Sequence, residues 1–183
     1  MRVGLRLWES RDVVVVLGRS SQARREVNLP ACRADSVRIF RRRSGGGAVV
    51  LGPGCLIYSL CLSLNQFPAL CDVRASYGLI LRFVIRALDV SGLEMRGQAD
   101  LALGNRKVSG NAQRRERGSL LQHGTLLYDF DARLAARYLL APSRPPEYRA
   151  GRDHADFLGN LPLTAPEIRE RLARFYLDPI ANR

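Results

Sequence analysis

Apolar and polar residues alternate over Val3–Trp8, and the β-branched run Val13–Leu17 ends in Gly18, so the chain opens with two strands. Val37–Phe40 is a third strand, running into Arg41-Arg42-Arg43; Arg24–Ala34 reads as a short helix weakened by Pro30. Ala48–Leu51 and Leu56–Leu64 are further strands on either side of the turn Gly52-Pro53-Gly54. The period then changes to that of a helix. Tyr77, Ile80, Leu81, Val84, Ile85 and Leu88 recur at helical spacing, Asp72 stands at the N-cap position, and Ser91-Gly92 marks the stop. This stripe is expected to cover one face of a sheet. Leu101–Leu103 and Lys107–Ser109 flank Gly104-Asn105, a pair suited to a tight hairpin turn with positive φ. Leu120–Tyr128 reads as a strand broken at Gly124, Asp131–Leu140 as a helix, and Ala141–Gly151 as a Pro- and Arg-rich connection. Thr164-Ala-Pro-Glu167 is a capping box that opens a last helix through Tyr176. Strand runs punctuated by a few helices predict an α+β fold: a mixed, mainly antiparallel sheet with flanking helices.

Composition adds bounds. With 183 residues, 46% of them apolar, the chain fits one domain over residues 1–183 with a core that needs no metal or disulfide. Val13–Leu17 and Cys55–Leu64 fall short of the roughly 20 apolar residues that span a bilayer. Met1–Trp8 has no signal-peptide pattern, so a cytoplasmic location without membrane partners is expected. Cys32, Cys55, Cys61 and Cys71 have no C-x-x-C spacing and only His123 and His154 as imidazole partners, so they read as reduced packing residues and no metal site is expected. A net charge of +12 calls for an anionic partner. The arginines are dispersed and no nucleic-acid motif accompanies them, so nucleic acid is not expected as a partner.

Three stations carry candidate chemistry. In Arg41-Arg-Arg-Ser-Gly-Gly-Gly-Ala48, three glycines between strands allow backbone amides to approach an anion closely; no Gly-Lys-Ser/Thr follows, and no helix opens behind them. The second station holds Lys107, the chain's single lysine against twenty-eight arginines. An ammonium is a compact point charge where guanidinium is a planar fork. Asp100 on the opposite hairpin arm puts a carboxylate near that amine; an ordinary surface ion pair has the same spacing. The third is Gln122-His-Gly-Thr-Leu126, where a strand histidine is more often structural than catalytic and Gly124 leaves room for a close approach.

Taken in order, Arg-Arg-x-Ser-Gly-Gly-Gly-Ala, Gly-Pro-Gly, Tyr58-Ser59, Asp100 before Arg106-Lys-Val-Ser-Gly-Asn-Ala112, and His-Gly-Thr-Leu-Leu127 resemble the catalytic domain of lipoate-protein ligases, from about Leu5 to Leu163. The resemblance implies a fold of the class II synthetase and biotin-ligase type. It also implies activation of lipoate or octanoate by ATP, with Mg2+ as nucleotide counter-ion, to an acyl adenylate that is passed to a lysine of a lipoyl domain. It assigns Lys107 the catalytic role and places Arg42, Ser44, Gly45, Gly46, Gly47, Ala48, Asp100, Ser109, Gly110, His123, Gly124 and Thr125 around the acyl adenylate. The implied partners are the acidic lipoyl domains of 2-oxoacid dehydrogenase complexes or the glycine cleavage H protein.

The chain departs from the family pattern at several points. It begins after the usual N-terminal strand and helix, and the roughly twenty residues after Leu163 are too few for the C-terminal accessory domain, which points to a separate accessory subunit. Leu51 stands where many ligases carry a histidine, and Gln122 replaces the first of two consecutive histidines, so metal or nucleotide contacts there are not expected. Rival readings are an octanoyl or lipoyl transferase on the same fold, a non-catalytic lipoate or adenylate binder, and a basic nucleic-acid binder. The transferase needs a cysteine nucleophile, and Ser91–Asp100 and Asp129–Leu163, where such enzymes carry it, contain none.

Overall fold

The computed structural model describes residues 4–177. Its larger sheet is antiparallel throughout, with six strands in the order β1 (Gly4–Glu9), β5 (Cys55–Ser63), β9 (Ser119–Leu127), β8 (Arg106–Glu116), β7 (Asp100–Leu103), β6 (Leu93–Arg96). A smaller sheet has β2 (Val14–Leu17) at its centre, parallel to β3 (Arg38–Arg41) and antiparallel to β4 (Val49–Leu51). Val3, which the alternation assigns to the first strand, lies outside the described residues.

The expected strands are present, but they form two sheets instead of one. Gly52-Pro53-Gly54 turns the chain from β4 in the small sheet to β5 in the large one, where a hairpin pairing would have kept both together. The helix expected at Arg24–Ala34 is split into α1 (Ala23–Glu26) and α2 (Leu29–Ala34), because Asn28 caps the second piece through Ala31 N and Pro30 sits in its first turn.

The long helix α3 (Val73–Leu88) starts where expected, with Asp72 Oδ1 accepting from Ala75 N at 2.7 Å. It ends before Ser91-Gly92, because Asp89 adopts a left-handed conformation (φ 47°) that closes the last turn. Ile80, Leu81, Val84 and Leu88 pack on Leu56, Tyr58, Leu120 and Leu126 from the sheet, and Ile168 and Leu172 of α6 (Ala165–Leu177) complete this core. Thr164 and Glu167 form the capping box of α6.

The other face of the large sheet carries Ile57 and Leu127. They meet Val14, Val15 and Leu51 of the small sheet and Ala135 and Tyr138 of α4 (Ala132–Tyr138), forming a second core. Gly124 does not break β9, which pairs continuously with β5 on one side and from Ser119 to Gly124 with β8 on the other. In the β7–β8 turn Gly104 has positive φ (58°), whereas Asn105 does not.

Candidate functional site

The two sheets leave a cleft of about 860 Å³ between them. Its wall is apolar over Trp8, Val16, Leu51, Ile57, Leu127 and Phe130. Lys107, Asp100, Ser109, Gly110, His123 and Thr125 supply polar groups and backbone from the large sheet, and residues 46–48 close the side toward the small sheet. A segment read from sequence as a plain connection runs alongside and contributes Pro142, Arg144, Pro146, Glu147 and Arg149; the short helix α5 (His154–Phe157) follows it.

Lys107 Nζ lies 2.7 Å from Asp100 Oδ1, and both side chains are largely shielded, at 26% and 15% exposure. The amine is not free to wander, because Asp100 Oδ2 also accepts a hydrogen bond from the Tyr148 hydroxyl at 2.9 Å. Burial and the neighbouring Asp100 push the Tyr148 phenol far above its ordinary range, so it remains a donor at neutral pH. Gly110 lies directly under the lysine, and a Cβ there would come within 3.1 Å of both Cε and Nζ. Thr125 Oγ1 accepts from Gly110 N at 3.1 Å and ties this point of β8 to β9.

The glycine loop is organised from within. Arg42 donates to the carbonyl oxygens of Gly45 (2.7 Å), Gly47 (2.9 Å) and Val16 (3.1 Å) and to Ser44 Oγ (3.1 Å). Gly46 has φ of +89°, which a side chain would strain. Glu26 Oε2 accepts from Ala48 N at 2.7 Å, so a carboxylate of the chain itself holds one of the amides expected to bind an anion. Ser44 is buried, outside the cleft wall, and its Oγ lies 2.6 Å from His123 Nε2. Burial, and then the charge of Arg42, pull the His123 pKa down to about 4, so the imidazole is neutral at physiological pH.

Most of the expected residues meet at one place: Arg42, Gly46, Gly47, Ala48, Asp100, Lys107, Ser109, Gly110, His123, Gly124 and Thr125 all border the cleft. Ser44 reaches it only through His123, and Gly45 borders a separate hollow with Arg19, Arg43, Arg114 and Tyr77. Gln122 is fully buried in register with Leu60 of the α3-side core, facing away from the cleft, whereas Leu51 is part of its apolar wall. Glu26 and Tyr148 were not legible as site residues. Their contacts span 22 and 48 positions in sequence, and neither lies in a motif; an aromatic in a Pro-rich connection was the one signal for Tyr148.

The lipoyl protein ligase A/B catalytic domain model matches residues 3–162. The chain belongs to this family. It is 35% identical over 134 residues to the probable lipoate-protein ligase A of Mycoplasma pneumoniae and 36% identical over 134 residues to that of Mycoplasma genitalium. Each alignment covers 72% of this chain and 38% of the relative, so the chain spans well under half the length of the curated ligases it matches. Among solved structures, a bi-partite lipoate protein ligase from Thermoplasma acidophilum superposes with a TM-score of 0.79 at 22% identity, covering 96% of this chain and 70% of that one. A lipoate-protein ligase A bound with ATP gives 0.79 at 23% identity, covering 96% and 72%. At these identities the structures establish that the lipoate-ligase fold is shared.

Proposed function

We propose that this protein activates lipoate, or octanoate, with ATP as an acyl adenylate and transfers the acyl group to a lysine of a lipoyl domain. The observation that carries the reading is the polarity of the cleft: an apolar wall for a hydrocarbon chain leads to one ammonium, Lys107, held ready by Asp100 beside the glycine loop. A medium-chain acid bound along Trp8, Ile57 and Leu127 would present its carboxylate at that end.

The chemistry follows from charge. A carboxylate oxygen attacks the α-phosphorus of ATP and pyrophosphate leaves; the acceptor amine then attacks the acyl carbonyl and AMP leaves. Negative charge builds on the phosphate and carbonyl oxygens in both steps, and a donor already in place stabilises it without reorganisation. Lys107 is assigned this role. Asp100, clasped by Tyr148, holds the ammonium in position before an anion arrives. Arg42 is assigned the ordering of the loop, and neutral His123, through Ser44, the tie between loop and sheet. Gly46 to Ala48 would cover the adenylate, and Gly110, Thr125 and the backbone at Ser109 and Gly124 would form the floor beneath it. Mg2+ would arrive with the nucleotide as its counter-ion.

Two further observations favour a ligase over an acyltransferase with a thioester intermediate. None of Cys32, Cys55, Cys61 and Cys71 borders the cleft. Burial also pushes the Cys55 thiol up to about 12, which leaves almost no thiolate. The acceptors on this reading are acidic lipoyl domains of 2-oxoacid dehydrogenase complexes or the glycine cleavage H protein, met in the cytoplasm. The Thermoplasma structure is of a bi-partite ligase and its E2 lipoyl domain, and on this reading a separate accessory polypeptide is a second partner. Among the described residues no helix is long and apolar enough to cross a membrane.

Lipoate-dependent exchange of labelled pyrophosphate into ATP reads activation, and transfer from preformed lipoyl-AMP to a lipoyl domain reads the second step. Both are expected, exchange with or without an added accessory polypeptide. A protein inert in both assays, with lipoyl-AMP failing to bind, would remove the proposal.

A further inference from the structure

Strict alternation along β8 would put Lys107 on the wrong side of the sheet. Ser109 pairs with Leu101, and Asn111 lies in line with Gly124 and Tyr58; Leu101 and Tyr58 belong to the core under α3. A regular strand would send Lys107, two residues before Ser109, to that same buried face. The ladder instead shifts register between Leu101 and Ala102, so that Lys107 pairs with Ala102 and Val108 is an extra residue. Val108 joins the α3-side core, and Lys107 emerges into the cleft beside Asp100. Bulges re-aim side chains in this way, at the cost of local ladder bonding.

A buried polar network borders the bulge. Asn111 Nδ2 donates to Ser109 Oγ at 3.0 Å and to Ala99 O at 2.9 Å, and Asn111 N donates to Ala99 O at 3.0 Å. Asn111 Oδ1 accepts the Tyr58 hydroxyl proton, and that hydroxyl oxygen accepts from Gln122 Nε2 at 3.3 Å. Tyr58 and Gln122 are wholly buried, Ser109 is 1% exposed and Asn111 is half-buried at the edge of the cleft, so the network is largely shielded from water. One amide therefore grips the residue after the bulge and the residue before Asp100. The space for it comes from Gly124, where a Cβ would stand 1.9 Å from Asn111 Oδ1.

We propose that Tyr58 and Asn111 are positioning residues that lock the β8 bulge, and so determine the face on which the Lys107 amine emerges and its alignment with Asp100. The catalytic consequence rests on the reading of Lys107 given above; the structural claim does not.

The single lysine makes the test direct, because selective 13C-lysine labelling reports on Lys107 alone. In the wild type a nuclear Overhauser contact is expected between the Lys107 ε-protons and the Gly110 α-protons. Asn111→Ala should lose it while keeping a folded amide spectrum, and Tyr58→Phe, which also serves if Asn111→Ala does not fold, should weaken it. Acyl transfer should fall about tenfold to a hundredfold in kcat with little change in KM for lipoate. Ile80→Val, in the same core but outside the network, should leave the contact and kcat as they are. An unchanged Lys107 contact in both folded network variants, or an equal loss in Ile80→Val, would overturn the inference. The expected contact pattern in a protein without acyl transfer would uphold the positioning claim and reject the proposed function.

Discussion

Lys107 is held at one point. Gly110 lies beneath its stem and Asp100 2.7 Å from its amine, contacts that fit a compact ammonium and that a planar guanidinium would not reproduce. Lys107→Arg should therefore keep the fold and lose activation by at least about 10²-fold, the scale of removing one preorganised donor; pyrophosphate exchange checks it. His123 yields a second expectation. Its pKa falls from 6.5 to about 4 on folding, so between those values the unfolded chain binds more protons than the native protein. The associated stability is complete above pH 6.5 and is lost as pH falls toward 4. Urea unfolding across that window should show the decline, and His123→Gln should flatten it. At this scale the sequence was informative: a lone lysine, two glycines of the triple-glycine loop and a His-Gly pair all lie at the cleft. Glu26 and Tyr148 became visible only through contacts made by folding.

Among the elements, period and caps were legible because they are local. Asp72 and the Thr164–Glu167 box open their helices as read, and Thr164→Ala should cost about 1 kcal/mol, measurable as a lower urea midpoint. Two features were not legible for a physical reason. The split into two sheets depends on which strands pair across long separations, and Gly52-Pro53-Gly54 looks the same in a hairpin and a crossover. The full length of β8 was also hidden, because its cleft and network positions are Gly, Asn, Gln and Arg, which break the alternation that marks a strand. The role of Gly124 is now specific. Gly124→Ala would drive a methyl into Asn111 and Tyr58 and should destabilise by about 1–3 kcal/mol, read by the same unfolding measurement.

For the molecule as a whole, the two faces of the large sheet divide the labour. One is sealed by α3 and α6 into a core; the other meets the small sheet and opens into the cleft. The polar network under β8 links them, so that a buried tyrosine on the sealed face bears on an amine on the open one. The net charge of +12 acts over a longer range. With an acidic lipoyl domain as acceptor, kcat/KM for that domain should fall about tenfold or more as ionic strength rises from low to physiological, while kcat at saturation holds, since steering acts on encounter.

The central claim, that the Lys107 amine drives the acyl chemistry in this cleft, is tested most directly by intact mass of a lipoyl domain incubated with lipoyl-AMP and either the wild-type protein or Lys107→Arg. The account predicts a gain of one lipoyl group with the wild type and none above background with the variant. Equal modification by both proteins would contradict it.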